Sequence, residues 1–256
     1  MKTFFLFASI CILFTLLFSC TSTKEEERTT KQNTERQQVE TVETMAKRHV
    51  EVKLGIPANE KYSLKIYKSD LDGDEKEDAI ITVNRMEFAR KDAERSNKTA
   101  QRASIGYMGN HNYIFYFDGG LNQISPKIAI PSSPLVPLTI SFEHITSEAY
   151  KDILIDYRIM NASFRDYFTI STHTPKKIFQ WKNFDGLVKG DVEAYHFEYD
   201  EGTMGPVKDI LVKKAILLQP KNEVDPFTYE PEIQKTDVLV HRFFYHPSKG
   251  TYMTKK

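Results

Sequence analysis

The stretch Asp70-Leu-Asp-Gly-Asp-Glu-Lys-Glu-Asp-Ala-Ile-Ile-Thr-Val-Asn84 (DLDGDEKEDAIITVN) runs from an acidic turn straight into an apolar, β-branched strand. Asp and Gly favour the turn, and the Ala79–Val83 run favours the strand. The same event recurs. Asp152-Ile-Leu-Ile-Asp-Tyr-Arg-Ile-Met160 lines up with Asp78–Met86, and Asp209-Ile-Leu-Val-Lys-Lys-Ala215 makes a third copy. An aspartate opening an apolar strand three times, at unequal spacing, predicts stacked β units.

Outward from these copies the chain stays β-rich. Further strands are expected at Tyr62–Tyr67, Asn112–Phe117, Asp166–Thr172, Lys176–Trp181, Glu193–Tyr199 and Asp237–Tyr245, each bounded by turn formers. The copies themselves supply Asp78–Asn84, Asp152–Ile159 and Asp209–Leu218. Pro126, Pro131, Pro134 and Pro137 mark an extended crossing that cannot be a central strand. Glu87–Arg102 is charged throughout and reads as an exposed excursion, at most one polar helix. Ahead of the strands, Val39, Val42, Met45, Ala46, Val50 and Leu54 recur at helical spacing, and Gly55 and Pro57 end the pattern. The expected fold is α+β, mainly antiparallel β, with an N-terminal amphipathic helix packed on the sheet.

The acidic turn also carries chemistry. Counting from Asp70, carboxylates stand at positions one, three, five and nine: Asp70, Asp72, Asp74 and Asp78. Position seven is Lys76, whose backbone carbonyl is a usable oxygen. Calcium takes six to eight oxygens at flexible geometry, so this spacing fits calcium in a loop–strand setting. The alternative is an Asp-Gly turn with solvated carboxylates. Position twelve is Ile81, so no EF-hand is present.

DLDGDEKEDAIITV resembles the calcium loops of FG-GAP/VCBS-type repeats, roughly D-x-[DN]-G-D-G-x-x-D followed by an apolar strand. The resemblance covers this loop and its strand. It implies Asp70, Asp72, Asp74 and Asp78 as side-chain ligands and Lys76 as a carbonyl ligand. Gly73 matches, whereas Glu75 replaces the second glycine. A left-handed backbone there costs a non-glycine residue about 1 kcal/mol. The counterpart loops His144–Asp152 and Glu201–Asp209 keep the final aspartate and lose most other ligands, so they are expected to be metal-free structural copies.

The N-terminus, MKTFFLFASICILFTLLFSC, has one early lysine and then an apolar run too short to span a bilayer as a helix. It reads as a secretory signal peptide over residues 1–19, with an uncleaved anchor as the alternative. Leu17-Phe18-Ser19-Cys20 resembles the lipobox of bacterial lipoproteins, although Phe18 stands where a small residue is usual. The resemblance implies acylation of Cys20 and a bacterial outer-membrane address, periplasmic or surface-exposed. Two acyl chains hold a protein on a membrane where one holds it marginally. Residues 20–38 are polar and read as a disordered tether, leaving 39–256 as a single globular β-rich domain. Lys24-Glu25-Glu26-Glu27 resembles a surface-export signal or is an ordinary solvated charge run.

The chain has two cysteines, Cys11 inside the signal and Cys20, so the mature domain has no thiol pair and relies on core burial or metal. Thirty-five basic and thirty-five acidic residues leave no net charge, which argues against nucleic-acid or anionic-membrane partners. No G-x-S-x-G, H-E-x-x-H, phosphate-binding loop or C-x-x-C motif occurs. Alternating aromatic rows at Tyr113/Phe115/Phe117 and Tyr195/Phe197/Tyr199 read as core faces, with stacking on sugars as the alternative use. The expected function is a lipid-anchored envelope or cell-surface protein, a non-enzymatic calcium-stabilised module that binds a protein or glycan. The alternative is a polysaccharide-directed or other envelope hydrolase with a loop-assembled site.

Overall fold

The computed structural model describes residues 40–95, 111–187, 192–218 and 220–254. The signal peptide, Cys20, the Lys24–Glu27 run and the tether lie outside the described residues, as does the end of the charged excursion from Ser96.

Helix α1, Val42–Leu54, begins three residues after Val39 because Thr41 takes the cap position: its Oγ1 accepts from the Thr44 amide at 3.3 Å. Gly55, at φ +58°, closes the helix, and Ile56 N donates back to Glu51 O at 2.9 Å. Ala46 and Val50 are fully buried on its inner stripe, while Val52 faces solvent.

That stripe packs on a five-stranded sheet of β1 (Ser63–Ser69), β2 (Asp78–Asn84), β3 (Asn112–Asp118) and two short strands on β3, β4 (Gln123–Ile124) and β5 (Ile128–Ala129). All its pairs are antiparallel. Alternation divides β2 between two cores. Ala79, Ile81 and Val83 meet α1 together with Phe115 and Phe117, and Ile80 points the other way. Helix α2 (Met86–Arg95) follows β2, and its Ala89 and Ala93 are buried. The charged excursion therefore starts as a helix with a narrow packed stripe.

The second sheet is an eight-stranded antiparallel meander in chain order: β6 (Thr139–Glu143), β7 (Asp152–Ile159), β8 (Ala162–Ser171), β9 (Thr174–Asp185), β10 (Glu193–Asp200), β11 (Asp209–Leu217), β12 (Ile233–His246) and β13 (Thr251–Met253). The proline-marked crossing delivers β6 to the sheet edge. Ile153, Ile155 and Tyr157 of β7 face the first sheet and share a core with Ile80, Ile114 and Tyr116. Leu154, on the opposite face, joins Tyr167, Phe179, Ile210, Val212 and Phe243 in a second core. β9 and β10 pair only through Asp185–Glu193 and Phe184–Ala194, so the meander bends there. Thr251 Oγ1 of β13 donates to Ile178 O of β9 at 2.7 Å and closes the curl. The aromatic rows are indeed core: Phe115 and Phe117 lie under α1, and Phe197 and Tyr199 pack on the second core.

The described residues belong to one compact unit, Glu40–Lys256. The architecture is α+β and mainly antiparallel β, as the sequence predicts. No described helix is long and apolar enough to cross a membrane.

Candidate metal centre

The loop between β1 and β2 is folded by its own carboxylates. Asp70 accepts from the amides of Gly73 at 2.8 Å and Glu75 at 3.2 Å, Asp72 from Asp74 N at 3.2 Å, and Asp74 from Lys76 N at 2.8 Å. Gly73 is left-handed at φ +83°, and Glu75 adopts φ +63° although it is not a glycine. The backbone thus keeps the turn that a second glycine would favour.

Asp78 is wholly buried at the start of β2. Its carboxylate accepts from Leu71 N at 2.9 Å, closing the loop, and from Gly119 N at 2.8 Å beyond β3. A Cβ on Gly119 would collide with the Glu77 carbonyl, so glycine is required for this approach.

Asp70, Asp72 and Asp78 each present an oxygen within 4.8 Å of the others. Asp74 is exposed and its carboxylate stands outside this group, so three of the four expected side-chain ligands converge. Two residues absent from the sequence reading join instead. Asp118, buried at the end of β3, lies opposite Asp78 through the Ala79–Phe117 register. His173 sits at the tip of the β8–β9 hairpin, where Thr172 and His173 both have positive φ, and its Nδ1 lies 2.7 Å from Asp118 Oδ2 and 4.0 Å from Asp72 Oδ2. Asp72, Asp118 and His173 form a second group with metal-ligand spacing that shares Asp72. Strand register and a distant hairpin create that convergence, and no local spacing reveals it.

Four carboxylates therefore lie in two overlapping groups that share Asp72, with the His173 ring beside Asp72 and Asp118. Burial raises the Asp78 pKa, and Asp72 adds to the shift. Burial also raises Asp72, helped by Asp74 and Asp118. Tyr116 donates to Asp72 at 3.3 Å, and burial plus these acids hold its phenol far above the ordinary range.

The two later loops bury the same final aspartate and treat it differently. Asp152 accepts from Ile145 N at 3.3 Å, Thr146 N at 2.6 Å and Thr146 Oγ1 at 2.7 Å. Asp209 accepts from Thr203 N at 3.1 Å, from Thr203 Oγ1, and from Arg242 Nε at 2.7 Å. Burial pulls Asp209 upward, yet the Thr203 and Arg242 bonds win and lower it. Thr146 and Thr203 both stand six residues before the final aspartate. In the first loop that position is Asp72, an acceptor facing an acceptor. The loops also abut in series: Lys151 N donates to Asp70 O at 3.4 Å and Lys208 N to Ile145 O at 3.0 Å.

Chemically, this cluster can coordinate a hard cation through oxygen. Comparison with protein-family models, curated proteins and solved structures finds no match to the chain.

Proposed function

We propose that the chain is a lipid-anchored envelope or cell-surface protein, held on a bacterial outer membrane through acylated Cys20, whose domain is a non-enzymatic, calcium-stabilised binding or scaffolding module. Three successive loops, each closing on a buried aspartate, support reading the β units as degenerate FG-GAP/VCBS-like copies. One observation carries the calcium assignment: where the second and third loops supply a threonine hydroxyl to that aspartate, the first supplies Asp72. A half-buried carboxylate set against a buried one repels it unless a cation or a proton lies between them. Calcium fits because the converging groups are mostly oxygen donors in a flexible loop.

Terbium, a calcium-sized cation, tests the assignment in the full chain. Tyr116 lies close enough to Asp72 to sensitise its emission, which calcium should displace and Asp72→Asn should abolish. Absence of sensitised emission, together with no calcium binding heat, would overturn it.

The hydrolase alternative needs a free acid and a free base. The cleft on the second sheet holds two acids, Asp156 and Glu230. Both oxygens of Asp156 are engaged by Arg165 at 2.7 Å, with Asn183 as a third donor at 3.0 Å, which leaves Glu230 with no second acid to pair with. A carboxylate so pinned is unsuited to proton transfer.

A further inference from the structure

On β7 the face opposite the inter-sheet core changes character along the strand: Leu154 is apolar, and Asp156 and Arg158 are charged. These two open onto a cleft of about 380 Å³ between β6–β10 and the segment from Glu230 to Lys235. That volume falls in the range of small-ligand sites. It is separate from the acidic loop and shares no residue with it.

Arg158 is the unusual member. Its side chain is 2% exposed, yet its bonds are to main-chain carbonyls: Nη1 to Tyr229 O at 2.9 Å and Nη2 to Pro226 O at 2.6 Å. Its Nε is buried without a partner, and its guanidinium lies over Phe184 at 4.7 Å. Among the described residues it forms no ion pair. Glu230 and Asp225 act on its charge from a distance, but neither bonds to it, so burial still disfavours the cation. Arg165, by contrast, is matched by Asp156. With Lys235 and Glu230 at the mouth, the lining carries three cations and two acids, one positive charge in excess.

The cleft also accepts hydrogen bonds. His196 donates Nε2–H to Thr236 O at 2.7 Å, so in the neutral ring Nδ1 is an acceptor; it is buried, makes no hydrogen bond and lies 3.9 Å from Glu198 Oε1. Glu230 adds carboxylate oxygens at the mouth. An apolar ligand is excluded by this lining. A simple anion such as phosphate would satisfy Arg158 but leave His196 and the acids facing its oxygens. A ligand with one carboxylate and several hydroxyls meets both demands.

We infer that this cleft binds a carboxylate-bearing sugar of monosaccharide size, with the carboxylate at Arg158 and hydroxyls at His196 and Glu230. The inference rests on the binding-module reading and names its ligand class, but uses none of the loop carboxylates.

Isothermal titration of the full chain with D-glucuronate, D-glucose and acetate tests it, with calcium and with chelator. Glucuronate should bind with a dissociation constant of about 1 mM, the level expected for a ligand of roughly a dozen heavy atoms at modest efficiency. Glucose and acetate should each bind at least about tenfold more weakly, since each lacks one of the two recognition elements. Arg158→Met should abolish binding. Glu230→Gln, which keeps a hydroxyl acceptor but removes the negative charge that competes with the sugar carboxylate for Arg158, should tighten it roughly threefold, a gain that misfolding cannot mimic. No glucuronate binding at 20-fold that concentration, equal binding of glucose or acetate, or weaker binding by Glu230→Gln would overturn the inference. Glucuronate binding that fails while calcium still stabilises the domain removes this inference alone; the reverse result removes the calcium reading alone.

Discussion

Thr146 Oγ1 donates to Asp152 Oδ1 at 2.7 Å, where the first loop sets the Asp72 carboxylate near Asp78 instead. Asp72 occupies the matching place before Asp78. Asp72→Thr should therefore convert the first loop into the type of the second. With chelator present, exchanging a buried repulsion for a charge-assisted hydrogen bond should stabilise by about 1–2 kcal/mol. For a domain of this size that is a rise of roughly 3–6 °C in melting temperature, and the calcium response should vanish. A variant less stable than wild type in chelator would contradict this comparison.

Glu75 pays for the loop's geometry with a left-handed backbone at φ +63°. Glu75→Gly should relieve about 1 kcal/mol of that strain in the folded loop, offset in part by the greater freedom of the unfolded chain. Because the ion-free loop already has this backbone, the expected outcome is a small change in melting temperature, with calcium affinity in titration nearly unchanged. Weaker binding would mean that the Glu75 carboxylate, not its backbone, matters to the site.

Burial raises the pKa of Asp152, against the donors from Thr146 that lower it. A carboxyl raised on folding contributes stability that is fully present below its unfolded value and lost as pH rises through its folded value. Wild type should therefore gain stability relative to Asp152→Asn as pH falls from 7 towards 4.5. Urea titrations in chelator across that range measure the gap, and a gap independent of pH would show that Asp152 is not raised.

The address is tested by Cys20→Ser. It should abolish metabolic lipid labelling and release the protein from membrane fractions, because the acyl chains are the anchor. Full membrane retention by an uncleaved chain would sink the lipoprotein reading.

Much of the architecture is legible in the sequence because its strands are unusually well punctuated. Asp78–Asn84 and Asp152–Ile159 occur at the bounds read from the residues, each opened by an aspartate and filled with β-branched or aromatic side chains. Elements with weak punctuation are not legible. β6 follows a proline-rich crossing, and β13 has three residues. In β12 the register against β11 shifts twice near Lys213, which extends the strand back to Ile233 and leaves Val238 and Leu239 facing solvent. The site divides in the same way. Asp70, Asp72 and Asp78 are local in the chain and were readable from spacing. Asp118 depends on the pairing of β2 with β3, and His173 on a hairpin more than fifty residues further along. Asp74 has the right spacing, but its carboxylate caps the Lys76 amide at the exposed tip of the loop.

The most direct measurement of the central claim is the melting temperature of the full chain in calcium, magnesium and chelator. Binding to the folded state alone adds roughly 2.7 kcal/mol at a hundred times the dissociation constant, about 5–10 °C for a domain of this size. Calcium should produce that rise, magnesium much less because it demands rigid octahedral geometry, and chelator should reverse it. Asp72→Asn should remove the response, and Asp74→Ala should keep most of it. A melting curve indifferent to millimolar calcium, with no heat of binding, would contradict the account and leave Asp70–Asp78 an acidic turn.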